Sequence, residues 1–444
     1  TLLRRKKRKR HQKKYRRRRR RVTRRVHKAC DARRKRERKD RPGPGGDSRG
    51  AETRTDAEMS THETTRDAMR GESNDVKISQ LTIYPLKSCK GIDVQTAVVT
   101  ETGLAFDRAF CVIDKDGEFI SQRTVPDLAL IETEFRGGFD DENVTERLMR
   151  EGEISEEDEK ARLVLRSPNC AEECEIPLLA RKEDVSGEVE CAVWDYCGVH
   201  VAERDAVSEW ISRAIRVPGA KIVRWIGSGG IPERFNKNVS TSDRNSRPAR
   251  PLDERYAKNG GETAFSDGYP VLLAHASSLN DLQKRVLMGK DLFNLAGSEV
   301  KMNRFRPNVV VSGGKEWVED TWLKIEMSGG KKNGSEGGDG GVGVGGGDGG
   351  GMEEEQVTWD LVKPCSRCTI PDINQETGIF DKNREVSRAL QKFRSGTVLN
   401  SQTKTWANEV FFGWNAVPNK IGSTLSVGDI VTAKELRPTG VGFM

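Results

Sequence analysis

Cys365 and Cys368 are the side chains in this 444-residue sequence best suited to chemistry, with only Ser366 and Arg367 between them. A thiolate is a soft metal ligand and a strong nucleophile, so this spacing points to metal or redox chemistry. Three readings compete while the pair is taken alone. A closed zinc site needs four ligands. Cys170 and Cys174 could supply the other two, with Cys191 and Cys197 nearby, but the spacing fits no common zinc module and none of the five His is placed to help. A redox dithiol sits at the start of a helix, whose positive end stabilises the thiolate. Here Thr369, Ile370 and Pro371 follow at once, and no helix starts cleanly. Two structural cysteines are the plainest alternative.

The elements that must carry this pair begin well inside the chain. Residues 1–50 hold 26 Lys or Arg against 4 Asp or Glu, a net of +22. The whole chain is +8, so the remainder is −14. A run such as Arg16–Arg21 repels itself and buries almost nothing, so residues 1–75 are expected to be a disordered tail. The tail could bind nucleic acid, an acidic membrane or an import receptor; a solvated tail is the plain alternative. Leu2, Leu3, Val22 and Val26 are too few to give it the amphipathic face of a mitochondrial presequence. No run approaches the ~20 apolar residues of a membrane span, and no secretory signal is visible. Nine cysteines without an export signal fit a reducing intracellular compartment, mitochondrial or cytoplasmic.

Order is expected from Val76. Ile78, Leu81 and Ile83 alternate as a strand does. Phe110–Ile113 and Glu118–Ser121 flank an Asp/Gly turn and read as a hairpin. Leu163–Leu165 and Glu175–Leu179 read as strands, with an acidic loop over Gly137–Lys160 before the first. Val207, Trp210, Ile211 and Ala214 share one helical face, with Asp205 as a cap. Residues 228–259 read as a long loop carrying Arg244, Arg247 and Arg250, which could reach an anionic cofactor or an acidic redox partner; a solvated loop is the plain alternative. Further on, Leu279, Leu282 and Val286 mark a helix capped by Ser277 or Ser278, and Asn308–Ser312 is a buried-type strand. The Gly-rich tract 328–352 cannot pack a core and reads as a flexible insertion between strands. A last helix carries Val386, Ala389, Leu390 and Phe393 and stops at Gly396. Many short strands with few helices imply an α+β, β-rich fold of barrels with peripheral helices.

Several segments narrow the choice. Ile83–Gly91 (IYPLKSCKG), Asp107–Phe110 (DRAF) and Ser121–Arg123 (SQR) occur in that order, followed by Phe265–Pro270 (FSDGYP), Arg304–Asn308 (RFRPN), Lys363–Cys368 (KPCSRC) and Phe412–Asn415 (FGWN). The set resembles the MOSC family, in particular the mitochondrial amidoxime-reducing component and its fungal and bacterial relatives. The resemblance runs over about residues 76–433. It implies a MOSC N-terminal β-barrel-like domain with a linking helix over 76–225 and a MOSC domain over 226–444.

The resemblance also implies a molybdenum cofactor, a pterin with a metal-binding dithiolene and an anionic phosphate tail. Its metal-binding cysteine falls at Cys368, which leaves Cys365 as a structural neighbour. Lys87, Ser88, Arg108, Arg306, Asn308 and Ser366 become cofactor contacts, residue types that suit phosphate and pterin oxygens. Asp267 becomes a polar or catalytic residue beside the metal. Gly268 and Tyr269 stand where the animal proteins carry small hydroxyl residues, so Tyr269 could narrow the substrate pocket. The implied reaction is a two-electron reduction of small N-hydroxylated substrates, with electrons from a b-type cytochrome and an NADH-dependent flavoprotein reductase. The alternative is a protein that carries or sulfurates molybdenum cofactor. Cofactor sulfurases join a MOSC region to a pyridoxal-phosphate domain, and the ~75 residues before Val76 are too few for such a domain.

Overall fold

Short runs of β-branched and aromatic residues, broken by Gly, Pro and Asp, give strands of two to nine residues from Lys77 to Leu436 among the described residues. The computed structural model describes residues 75–137, 149, 155–229, 231, 235, 248–288, 299–328, 357–401 and 403–438. The basic tail, Arg244, Arg247, most of the acidic stretch before Lys160 and nearly all of the glycine tract lie outside these residues.

The N-terminal half begins with β1 (Lys77–Ile83), β2 (Ile92–Val94), β3 (Thr96–Thr100), β4 (Gly103–Leu104) and β5 (Phe110–Ile113). It continues through β6 (Glu132–Arg136), α1 (Glu156–Lys160), β7 (Arg162–Arg166) and β8 (Cys174–Pro177). Then come β9 (Val185–Val193), β10 (Tyr196–Glu203), α2 (Asp205–Ala214) and β11 (Lys221–Arg224). The C-terminal half holds β12 (Val271–His275), α3 (Ala276–Met288), β13 (Val309–Ser312), β14 (Trp322–Ser328) and β15 (Thr358–Ser366). It ends with α4 (Glu385–Phe393), β16 (Phe411–Pro418), β17 (Thr424–Ser426) and β18 (Ile430–Leu436).

Among the described residues, seven strands close a barrel in the order β13, β12, β16, β15, β14, β18, β1 and back to β13. Closure leaves those strands no free edge within the ring. Only the β12–β13 pair is parallel. The strand that completes the ring, β1, comes from the far end of the sequence. It pairs with β13 from Lys77 opposite Ser312 to Leu81 opposite Val309. On its other side the seam to β18 is short: Lys77 faces Ile430, and the Ile78 N–H donates to the Asp429 carbonyl at 2.9 Å. Two further sheets, β5-β11-β10-β9 and β6-β7-β8, belong to the N-terminal half. The fold is therefore β-rich, with four described helices at its periphery. None of them is long and apolar enough to cross a membrane.

The helices bury the faces that the sequence periodicity marks. Val207, Trp210, Ile211 and Ala214 of α2 are buried, as are Val386, Ala389 and Leu390 of α4. Their ends differ from expectation. Asp205 is the first residue of α2 rather than its cap; its carboxylate accepts from the Ser186 hydroxyl instead. At α3 the His275 ring does the capping, since its Nδ1 accepts the Ser277 N–H, while the Ser278 hydroxyl turns to Glu319. Helix α4 ends at Phe393, three residues before Gly396, because Arg394 turns into the Asp320 carboxylate. The acidic stretch closes in the short helix α1, with a Ser155–Asp158 capping box.

Glu319, on the turn between β13 and β14, is 1% exposed. Burial, and secondarily the Asp320 charge, push its carboxyl up to about 7, against the Ser278 hydroxyl that favours the anion. The unfolded chain ionises this group near 4.5. Its contribution to stability is therefore present below about pH 4.5 and is lost as the pH rises through about 7. Urea unfolding midpoints measured across that window should fall for the native sequence relative to Glu319→Gln. Parallel curves for the two proteins would refute this assignment.

Candidate functional site

The β1–β13 pairing sets the site. The Thr82 N–H donates to the Asn308 carbonyl at 2.9 Å, and Asn308 Nδ2 returns a bond to the Thr82 carbonyl at 3.2 Å. Asn308 Oδ1 accepts the Leu272 N–H at 3.2 Å, so one amide ties β1, β12 and β13 together. The chain leaving β1 (Tyr84–Ser88) is thereby laid beside the chain entering β13 (Phe305–Asn308). Phe305 stacks on Phe412 at 3.9 Å between centroids, which anchors that second segment in the core. A reciprocal amide pair, Gln122 with Gln375 at 2.9 and 3.0 Å, joins the two halves again. Gln122 also donates to the Ser88 carbonyl at 2.8 Å.

These segments wall a cleft of about 430 Å³. Lys87, Ser88, Arg108, Asp267, Arg306, Asn308, Ser366 and Cys368 all line it, although the sequence spreads them over more than 280 positions. Six basic and two acidic side chains face the cleft: Lys87, Arg108, Arg123, Arg306, Lys363 and Arg367 against Asp267 and Glu409. The cleft is thus cationic in a body whose residues after 50 sum to −14. Such a wall selects anions.

The cations are held by fixed partners. Lys87 Nζ donates to Asp267 Oδ1 at 2.5 Å and to the Phe265 carbonyl at 2.7 Å. Burial pulls the Lys87 ammonium below the usual lysine range, and Asp267 opposes that shift. For Asp267, desolvation alone would raise the carboxyl; Lys87, the Trp194 indole N–H at 3.0 Å and Arg123 outweigh it and hold the group below the usual carboxylate range. The Asp267 side chain keeps 66% of its surface open, so water in the cleft screens the pair. Arg108 Nη1 chelates Asp107 at 2.6 and 2.5 Å. Arg306 Nη1 donates to the Cys89 carbonyl at 2.5 Å. Arg306 Nη2, Arg367 Nε, the Ser266 hydroxyl and the Tyr269 hydroxyl are buried and have no partner among the described residues. Backbone strain gathers here too. Ser88 (φ 71°), Arg108 (46°), Trp194 (55°) and Arg306 (58°) are left-handed without being glycine, and all four line the cleft. Such conformations persist where the surroundings over-determine them, commonly at ligand sites.

The two cysteines of the motif differ in their surroundings. Strand β15 ends at Ser366, and a 3-10 turn, Ile370–Asp372, comes next. Cys368 Sγ accepts the Ile370 N–H at 3.5 Å. Cys365 Sγ accepts Arg367 Nη1 at 2.9 Å, and Arg367 Nη2 is fixed on the Phe305 carbonyl at 2.6 Å. Among the described residues no group of three or more His, Cys, Asp or Glu side chains is placed to hold a metal ion. The pair does not open a helix either, which leaves the zinc and dithiol alternatives without their geometry.

Trp194 and Glu409 escaped the sequence reading, and Arg123, Lys363 and Arg367 stood inside matched runs without being assigned a role. Arg123 covers the Trp194 ring at 4.3 Å. Arg367 sits inside the motif itself, and its position between the cysteines was the available signal. Arg250 corrects an expectation. It is neither solvated nor turned to the cleft. Buried at 8% exposure, it donates to the carbonyls of Ala264 (3.0 Å), Ser266 and Asp267 (2.6 Å). It therefore clamps the backbone that presents Asp267.

Comparison with known proteins agrees with this architecture. Residues 75–218 match the MOSC N-terminal beta barrel domain, and residues 260–432 match the MOSC domain. The chain therefore belongs to the MOSC-domain family. It is 27% identical to mitochondrial amidoxime reducing component 2 of Bos taurus over 80% of this chain and 82% of that protein. The human component 2 is 25% identical over the same shares. Molybdenum cofactor sulfurase of Oryza sativa subsp. japonica is 26% identical over 72% of this chain, which spans 31% of that longer protein.

Replacing Arg250 with Met strands three backbone acceptors. Arg250→Met should cost about 3 kcal/mol in urea unfolding, the scale of charge-assisted bonds lost from a buried site. A loss near zero would place Arg250 outside the support of the Asp267 segment.

Proposed function

We propose that this protein binds molybdenum cofactor in the cleft through Cys368 and reduces small N-hydroxylated compounds by two electrons. One observation carries the reading: a cysteine sulfur with a backbone N–H aimed at it opens onto the same cationic cleft as Arg306 Nη2, a buried donor without a partner. A soft thiolate ligand beside unfilled donors suits a sulfur-bound metal on an anionic carrier. The orphaned Arg367 Nε, Ser266 and Tyr269 groups add donors of the kind pterin heteroatoms and phosphate oxygens require. The names of the relatives, amidoxime reducing component and molybdenum cofactor sulfurase, support the same cofactor.

In this reading Cys368 ligates the metal. Arg108 and Arg306 hold the anionic end of the cofactor, and Lys87, Ser88 and Ser366 complete the cradle. Asn308 acts chiefly by fixing the backbone around Arg306. When bound, the cofactor supplies two-electron chemistry that removes oxygen from an N–OH group. The reduction also consumes two protons. Lys87 Nζ, held against Asp267 and lowered by burial, keeps an exchangeable proton at the cleft wall. Trp194 and Arg123 form a planar wall on the substrate side, and Tyr269 narrows the pocket. Electrons come from a b-type cytochrome served by an NADH-dependent flavoprotein reductase, in a reducing intracellular compartment. Nucleic acid would engage only the basic tail.

Cofactor carriage is the second reading, favoured by the likeness to the sulfurase. Full-length protein from a host that makes the cofactor should contain stoichiometric molybdenum by elemental analysis. Cys368→Ala should lose it and Cys365→Ala should keep it. Zinc in place of molybdenum, or metal retained in Cys368→Ala, would overturn the assignment. Reduction of benzamidoxime with an artificial electron donor separates the two readings: loaded but inactive protein is a carrier.

A further inference from the structure

Two guanidinium groups share one aromatic ring at the cleft. The Cζ atoms of Arg108 and Arg306 each lie 4.3 Å from the centroid of Tyr84. The two charges are thus within twice that distance of each other, and Arg306 is only 8% exposed. Like charges this close repel, and the loss of solvent strengthens the repulsion. Burial, then the Arg108 charge, pull Arg306 down to about 10.

Three features hold the pair together. The ring of Tyr84 offers its negative face to both cations. Asp107, with no exposed surface, accepts Arg108 Nη1 and also the Tyr84 N–H at 2.8 Å, so one carboxylate fixes the first arginine to the ring-bearing backbone. Arg108 Nη2 donates to the Arg306 carbonyl at 3.2 Å, which fixes the first arginine to the second. The ring itself is held by Gly91. A methyl group on Gly91 would stand 2.7 and 2.9 Å from two ring carbons and 2.5 Å from Thr82 Cγ2. After all this, Arg306 Nη2 is still without a partner.

We infer that Tyr84 is a positioning residue whose ring, backed by Gly91, keeps Arg108 and Arg306 converged on one phosphate-class anion. Phosphate oxygens accept from the donors that each guanidinium keeps after these bonds, and an anion between the two offsets their repulsion. The inference rests on the cleft of the proposed function but not on its redox chemistry, so anion capture stands without molybdenum.

Inorganic pyrophosphate is a suitable probe. Its binding is measured by calorimetry on the full chain from a host that cannot make the molybdenum pterin, at fixed salt. The basic tail adds the same background to every variant, and Arg108→Met/Arg306→Met defines that background. Tyr84→Phe keeps the ring and should bind within about twofold of the native chain, whereas Tyr84→Leu should weaken binding about tenfold. Gly91→Ala displaces the ring and should behave as Tyr84→Leu does, which keeps the test open if Tyr84→Leu does not fold. Leu282→Ala, in a separate core cluster, should lower stability with unchanged affinity. Native affinity in folded Tyr84→Leu or Gly91→Ala would overturn the inference. So would an equal loss in Leu282→Ala, or native binding no tighter than the double-arginine background. Pyrophosphate capture by this chain, together with no molybdenum acquired in a host that does make the pterin, would sink the proposed function and leave the clamp intact.

Discussion

The antiparallel pairing of β1 with β13 is the contact on which the cleft depends. Bonds between Thr82 and Asn308 join segments 226 residues apart. They do two things at once. They close the seven-stranded ring, and they set Tyr84, Lys87 and Ser88 against Arg306. Loop closure over such a separation costs entropy, and the buried side chains of Ile78, Leu81, Val309 and Val311 along the pair supply the offsetting apolar contact. Fold closure and site assembly are therefore one event.

The cleft that results gathers like charge. Six cations converge where only two carboxylates face them. The chain tolerates this through local compensation. Asp107 lies behind the wall as a buried counterion to Arg108, Asp267 answers Lys87, and main-chain carbonyls absorb donors of Lys87, Arg108, Arg306 and Arg367. Four left-handed, non-glycine backbones add strain of about 1 kcal/mol each. Under the proposed function these terms make a site organised ahead of binding, in which an incoming anion would relieve repulsion rather than have to create order.

The sequence made much of this legible, and the reason is locality. Lys87 and Ser88 stand in one short run, Arg306 and Asn308 in another, and Ser366 and Cys368 in a third, so each resemblance could be read without knowing the tertiary path. Alternation at Ile78, Leu81 and Ile83 marked β1, yet nothing local said that it would close a barrel with strands from the other end. Arg250 was misread for a related reason. In a stretch rich in Gly, Pro and Ser, an arginine looks solvated, and only the folded chain shows three carbonyls waiting for its guanidinium. Trp194 was invisible because it stands on the tip between β9 and β10, and nothing local says that Arg123 of the SQR run covers its ring. The caps of α2 and α3 were missed because the side chains expected there had stronger partners in Ser186 and Glu319.

The same logic separates the two cysteines. Sequence spacing treats Cys365 and Cys368 alike, but their neighbours do not. Arg367 spends one donor on Cys365 and another on the Phe305 carbonyl, so the Cys365 sulfur is tied into the support of the Phe305–Arg306 segment. Cys368 stands one turn beyond the end of β15, where the main chain is already reversing and, among the described residues, the Ile370 N–H is the donor that reaches its sulfur. Under the proposed function, a sulfur held by a single backbone donor keeps its remaining lone pairs for the metal. A sulfur held by an arginine that is itself anchored is better placed to fix geometry. Both cysteines line the cleft, and the asymmetry originates in the residues just C-terminal to each: Arg367 folds back on the first, and the turn into Ile370 gives the second a backbone donor instead.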